Sequence, residues 1–299
     1  MITVRGIQEL ISQITAMKKD LSKPGVTVGF VPTMGFLHEG HASLMKQARN
    51  KTDIVVLSIF VNPIQFGPNE DFESYPRDEK RDLAVAEKEG VDIVFIPSVE
   101  EMYPQPTKTT IQVSGLTERL CGASRPGHFD GVTTVVAKLF NIVQPDFAFF
   151  GMKDAQQVAV LTQMVNDLNM PVTIVPCPIM RETDGLALSS RNVYLSAEER
   201  SQALSLSRSL SVAQKASEER EDITISELRN LVISEITKSP AAVIDYVEVL
   251  TFPGLQPLAE EQQLEQIQED VIVALAVKFG KTRLIDNHRL KKVEVLSRV

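Results

Sequence analysis

Five short runs of β-branched and aromatic residues constrain this 299-residue chain most: 26–32, 53–63, 91–97, 146–151 and 172–178. Each stops at a proline or glycine, and each is too evenly apolar for a sheet with one wet face. Between them, 41–51, 79–89, 132–143 and 155–168 space their apolar residues at helical period. Parallel neighbours need a long crossover, and a helix supplies it. The alternation predicts an α/β fold, a doubly wound parallel sheet over residues 1–180. Ligands of such sheets bind beyond the carboxyl ends of the strands.

The pattern changes after Arg181. Residues 195–216 predict one capped helix, with Ser196 as cap and Glu199 three residues on. Residues 224–238 predict a second helix, and 244–250, 270–277 and 282–287 the strands of a small sheet. The acidic, glutamine-rich stretch 258–270 reads as a solvated connector. Residues 181–299 are thus expected to form a smaller C-terminal α+β domain.

A formal net charge of −8 disfavours broad contact with nucleic acid or an anionic membrane and leaves small molecules as the natural ligands. Cys121 and Cys177 fit no metal-ligand or CxxC spacing, so no disulfide framework is expected. The first residues lack a basic segment followed by an apolar block, and no apolar run reaches the roughly 20 residues of a membrane span. A cytoplasmic, soluble chain is the expectation.

Two of the four histidines, His38 and His41, crowd into "PTMGFLHEGHASL". H-E-G-H is not the H-E-x-x-H of zinc proteases and no third ligand is evident, so no metal site is assigned. Two readings remain: structural histidines at a helix start, or phosphate ligands at a helix N-terminus, where free N–H groups and the dipole favour an anion. Lys153, Asp154 and Gln157 follow a strand end in "FFGMKDAQQ", and Ser189, Ser190 and Arg191 sit in "DGLALSSRNVYL". Alone, each reads as surface; with the histidine pair they make a coherent anion site.

These segments, with "SIFVNPIQFGPNEDFESYPRD" and "RPGHFDGV" in the same order, closely resemble the pantothenate synthetase (pantoate–β-alanine ligase) family, within the HxGH nucleotidyltransferase superfamily. The late "TRLIDN" is also similar, so the resemblance spans nearly the whole chain. It implies a Rossmann-like sheet of the HxGH nucleotidyltransferase type. It implies condensation of pantoate with β-alanine to pantothenate, a coenzyme A precursor, through pantoyl adenylate, with ATP as substrate, Mg2+ accompanying it, and AMP and pyrophosphate released. A homodimer is implied as well.

By the same resemblance, His38 and His41 contact the phosphates, His41 standing where the family has its proton donor. Lys153 neutralises phosphate charge, and Ser189, Ser190 and Arg191 close over it as the KMSKS loop does in tRNA synthetases. Met34, Gly35, Gly40, Gly151, Met152, Asp154, Met180 and Leu188 complete the ATP site. Gln65 and Gln157, with Asn62 beside them, bind pantoate, and Gln65 also meets β-alanine. Pro32, Met34 and Phe66 offer an apolar wall for the gem-dimethyl group. Arg125 and His128 either cap a helix or face substrate. His288 reads as a surface residue, and the acidic stretch 69–82 as a solvated loop and helix start rather than a metal cluster. Two positions depart from the common pattern: Leu188 stands where methionine is usual, and Met152 where glutamate is frequent.

The residues leave rivals: a nucleotidyltransferase acting on a phosphate, a tRNA synthetase, or a nucleotide-binding protein without catalysis. Gln65 and Gln157 favour a neutral, hydroxyl-rich acyl substrate. The acidic balance speaks against tRNA.

Overall fold

The computed structural model describes residues 1–68 and 72–291. In chain order the elements are β1 (Ile2–Val4), α1 (Ile7–Asp20), β2 (Val28–Thr33), α2 (Glu39–Lys51), β3 (Ile54–Ile59), α3 (Glu79–Lys88), β4 (Ile93–Phe95), α4 (Val99–Met102), α5 (Leu120–Ser124), α6 (His128–Val143), β5 (Phe147–Gly151), α7 (Ala155–Asp167) and β6 (Thr173–Cys177). There follow α8 (Ala197–Ala203), α9 (Ser205–Glu219), α10 (Ile225–Ile236), β7 (Ala242–Phe252), β8 (Asp270–Phe279) and β9 (Thr282–Lys291). The chain divides into two compact units. One comprises Met1–Glu118, Gly122–Met152 and Val160–Met180; the other comprises Arg119–Cys121, Lys153–Ala159 and the chain from Arg181 onward.

The first unit holds a six-stranded sheet in the order β1-β4-β3-β2-β5-β6, every neighbouring pair parallel. Strand order reverses between β2 and β5, so the chain leaves those two adjacent strands at the switch point where such folds take ligands. Val31, Leu57 and Phe149 of the sheet pack with Met45 and Ala48 of α2 and Ala86 of α3, all fully enclosed. Each large apolar side chain buried this way contributes roughly 1.5–3 kcal/mol. Cys177 belongs to this core, and burial pushes its thiol up to about 11.

In the second unit, β7, β8 and β9 form an antiparallel sheet in that order. Leu206 and Leu210 of α9 and Leu228 and Val232 of α10 share one core with Val273, Leu275 and Val277 of β8. No helix among the described residues is long and apolar enough to cross a membrane.

Several expectations need correction. β1 and α1 precede the first predicted strand; β1 is a three-residue edge strand pairing Ile2 with Ile93, and α1 buries Leu10 and Ile14 one turn apart. The helix predicted over 195–216 is two helices, α8 and α9, meeting at Leu204. The connector 258–270 is not wholly solvated: Leu264 and Ile267, three residues apart, are buried in the core of the second unit. β9 runs past Asn287 and takes in His288, which is half-buried rather than exposed; burial and the nearby Arg181 hold its imidazole below the ordinary value. In the acidic stretch, Asn69, Glu70 and Asp71 lie outside the described residues, while Asp82 is only 1% exposed.

Candidate active site

The turn from β2 into α2 is built around backbone that side chains rarely adopt. Gly35 has φ +87° and Phe36 φ +50°. A Cβ on Gly35 would come within 2.9 Å of Ile59 Cγ2 and 3.0 Å of Asp82 Oδ2, so only glycine fits there. After this turn His38 takes an extended conformation and caps α2. Its Nδ1 accepts from the Gly40 N–H at 3.1 Å, and His41 Nδ1 accepts from the His38 N–H at 3.3 Å. The two rings lie 4.1 Å apart between centroids. A ring nitrogen that accepts cannot carry the proton, so both imidazoles hold their N–H on Nε2. The pair thus satisfies helix-terminal N–H groups with one nitrogen of each ring and holds a donor on the other.

Gln65 is placed by a polar network in the same unit. It lies in a 3-10 turn, Pro63–Gln65, that forms because Pro63 cannot continue a ladder. Its Nε2 donates to Met34 Sδ at 3.0 Å, which ties it to the β2–α2 turn. Its Oε1 accepts from Asn62 Nδ2 at 3.2 Å; that amide also reaches the Gly131 carbonyl at 3.1 Å. Tyr103 Oη donates to Asn62 Oδ1 at 2.8 Å, and burial pushes the phenol up to about 12. From the other side, Arg125 Nη1 lies 2.9 Å from His128 Nε2, and His128 Nδ1 lies 2.8 Å from the Gln65 carbonyl. Arginine only donates, so His128 accepts on Nε2 and donates from Nδ1. Gly131 of α6 permits this packing, because a Cβ there would lie 2.4 Å from the Ile64 carbonyl oxygen.

Gly151 and Met152 leave the carboxyl end of β5, beside β2, with the Met152 side chain buried. The next residues belong to the second unit. Asp154 Oδ1 accepts from the Gln157 N–H at 3.1 Å, and Asn287 Nδ2 donates to the Lys153 carbonyl at 3.0 Å. Burial pushes the Lys153 ammonium below its ordinary value and Arg191 acts the same way, while Asp154 and Asp286 oppose them. Ser189 Oγ accepts from the Arg191 N–H at 3.3 Å and starts a 3-10 turn, Ser190–Tyr194. Asn192 holds that turn through Glu182 Oε1 and the Ala187 carbonyl, each at 3.1 Å. Leu188 is half-buried, whereas Met180, closing the first unit, is exposed.

Within the first unit, then, Met34, Gly35, His38, Gly40 and His41 form one structure, joined through Met34 to Gln65 and Asn62. Within the second, Lys153, Asp154 and Gln157 form a second group, and Lys153 feels the charge of Arg191. Sequence reasoning missed Tyr103 and Asp82. Tyr103 carries no motif. Asp82 carries a faint one, since it sits four residues before the buried Ala86 on one face of α3.

The family model for pantoate-beta-alanine ligase matches residues 3–289. A pantothenate synthetase from Acetivibrio thermocellus is 56% identical over 279 residues, which is 93% of this chain and 97% of that protein. Among solved structures, pantothenate synthetase from Thermus thermophilus is 44% identical with a TM-score of 0.87, covering 98% of this chain and all of that one. A pantoate-beta-alanine ligase from Francisella tularensis, complexed with beta-gamma ATP and beta-alanine, is 33% identical with a TM-score of 0.75 over 98% of this chain and 99% of its own. From its third residue to its 289th, this chain belongs to the pantoate–β-alanine ligase family.

Proposed function

We propose that this chain carries out its ligase reaction in two half-reactions on one ATP. It condenses pantoate with β-alanine to pantothenate. A carboxylate is a poor acyl donor, so a pantoate oxygen first attacks the α-phosphorus. The bond to the β-phosphate oxygen breaks, and pyrophosphate leaves with the electron pair. The β-alanine amine then attacks the acyl carbon, AMP departs, and the amine loses its proton. Positioning and charge stabilisation supply most of the rate.

The observation that carries this reading is the reciprocal bonding of His38 and His41, which commits both Nδ1 atoms to backbone and both protons to Nε2. Two such donors at a helix N-terminus suit phosphate oxygens, and His41 serves as proton donor to the charge building there. Lys153 and Arg191 neutralise phosphate charge, with Ser189 and Ser190 beside them. The Gln65 amide offers both donor and acceptor to the pantoate hydroxyls, and Gln157 joins it. Magnesium arrives with ATP, whose phosphates supply most of its ligands; among the described residues no cluster of three His, Cys, Asp or Glu side chains is placed to hold a metal ion. Residues 1–180 serve as the ATP- and pantoate-binding domain, and 181–299 as a lid-like domain that brings the Ser189, Ser190 and Arg191 loop to the phosphates. The working form is a cytoplasmic homodimer.

The decisive experiment is exchange of labelled pyrophosphate into ATP with magnesium and pantoate but no β-alanine. Pantoate-dependent exchange, diverted to AMP and pantothenate when β-alanine is added, is the expected result. Pantothenate formation with no exchange under any pantoate concentration would refute the adenylate route.

A further inference from the structure

Asp82 has been met so far only as a neighbour of Gly35, yet it is among the most enclosed polar side chains of the first unit, at 1% exposure. It lies in the first turn of α3, which Asp78 caps by accepting from the Arg81 N–H at 3.1 Å. From there its carboxylate reaches 45 and 46 residues back along the chain: Oδ1 accepts from the Leu37 N–H at 2.7 Å and Oδ2 from the Phe36 N–H at 2.8 Å. These are the lengths of charge-assisted bonds. They fall on the residue held at φ +50° and on the one after it, directly before His38.

A left-handed conformation is strained for a residue such as phenylalanine, because its Cβ crowds the following carbonyl oxygen. Two bonds to a carboxylate, stronger than bonds between neutral groups, offset that strain. Gly35 leaves room for that carboxylate, since a Cβ would press on Oδ2. The neighbouring Arg81 guanidinium stacks over the Phe36 ring at 5.1 Å and holds the same residue from outside.

We infer that Asp82 is a positioning residue for the ligase reaction, holding the left-handed turn at Gly35 and Phe36 so that Met34, His38 and His41 are presented to ATP. This rests on the reading of 34–41 as the ATP segment. Burial pushes the Asp82 carboxyl up from the usual range, with the two backbone bonds opposing it. Both of its oxygens accept from backbone N–H groups, so it is the acceptor geometry of this side chain that the turn uses.

The test is a double-mutant cycle read by steady-state pantothenate synthesis and pyrophosphate exchange. Asp82→Asn keeps the shape and removes one of the two acceptors. Asn is at ease in left-handed backbone, so Phe36→Asn removes the strain the carboxylate offsets. Asp82→Asn should raise KM for ATP about tenfold or more with a smaller change in kcat, in protein whose thermal transition remains cooperative. In the Phe36→Asn background the same change should raise KM by only about threefold or less. An Asp82→Asn variant with unaltered KM and kcat would overturn the inference. So would an equal loss in both backgrounds, which would mean that the carboxylate acts elsewhere. His41→Ala, run in parallel, separates the two readings. If it is impaired while Asp82→Asn is normal, only the inference about Asp82 fails; if it too is normal, the ATP reading of this segment fails.

Discussion

His41 carries the sharpest prediction at the scale of single residues. On the proposed role of His41 as proton donor, whose loss costs about 10²–10⁴ in rate, His41→Ala should lower pyrophosphate exchange by that factor. It also loses the acceptor of the His38 N–H, a cap-sized cost of roughly 0.5–2 kcal/mol, visible in urea unfolding. Tyr103→Phe leaves Asn62 Oδ1 without its phenol donor, at a cost of about 1–3 kcal/mol. Because Asn62 holds Gln65, that variant should raise KM for pantoate more than KM for ATP. Lys153 gives a proton-linked prediction. Its ammonium is held below the ordinary 10.5 by burial and Arg191, and bound phosphates favour the charged form. ATP binding should therefore take up protons between the lowered value and 10.5, as calorimetry in two buffers of different ionisation heat would read, and Lys153→Gln should abolish the uptake. In that window the unfolded chain holds more protons, so this residue favours the fold increasingly as pH rises. The motif residues proposed to meet ligand stand out in the sequence because such chemistry restricts them to few residue types. Asp82 and Tyr103 were not, since a buried carboxylate in "DEKRDLAVAE" and a tyrosine in "EMYPQP" look like a solvated helix start and a loop until their partners, 41 to 46 residues away, are known.

At the scale of elements, the strands of the parallel sheet from β2 onward were legible, because runs buried on both faces leave no other reading. β1 was not: three residues carry no period, and their strand character comes from pairing with β4. The break between α8 and α9 was hidden for the opposite reason, since the helical period continues through Leu204. Buried Leu264 and Ile267 were masked by the glutamines and glutamates around them. The packing of α6 on the Pro63–Gln65 turn was invisible in the sequence, though it can be tested. A methyl at position 131 meets backbone atoms at 2.4 to 2.7 Å, which cannot swing aside as a flexible side chain can. Gly131→Ala should cost about 1–3 kcal/mol by overpacking. It should also weaken pantoate binding by displacing Gln65, measurable as a raised KM in otherwise folded protein.

At the scale of the molecule, the change of pattern after Arg181 was readable, but the excursions of Arg119–Cys121 and Lys153–Ala159 into the second unit were not, because clustering in space leaves no mark in composition. Arg181 itself begins the main stretch of that unit with a two-pronged bond to Asp286, at 2.6 and 2.9 Å, and Asp286 is only 3% exposed. Arg181→Ala strands a buried carboxylate and should destabilise by about 3–5 kcal/mol in urea unfolding. Arg181→Met combined with Asp286→Asn should recover most of that loss, since removing both charges costs far less than removing one. Sedimentation should give the mass of a dimer at micromolar concentration.

The doubly employed histidines have a consequence for descent. Any lineage of this chain that abandoned ligation would still have a helix start to close; serine, threonine, asparagine or aspartate can cap it in place of His38, and glutamate or glutamine can close the box in place of His41. Loss of the activity would therefore leave a folded, silent descendant, recognisable by a capping residue standing where each histidine had been.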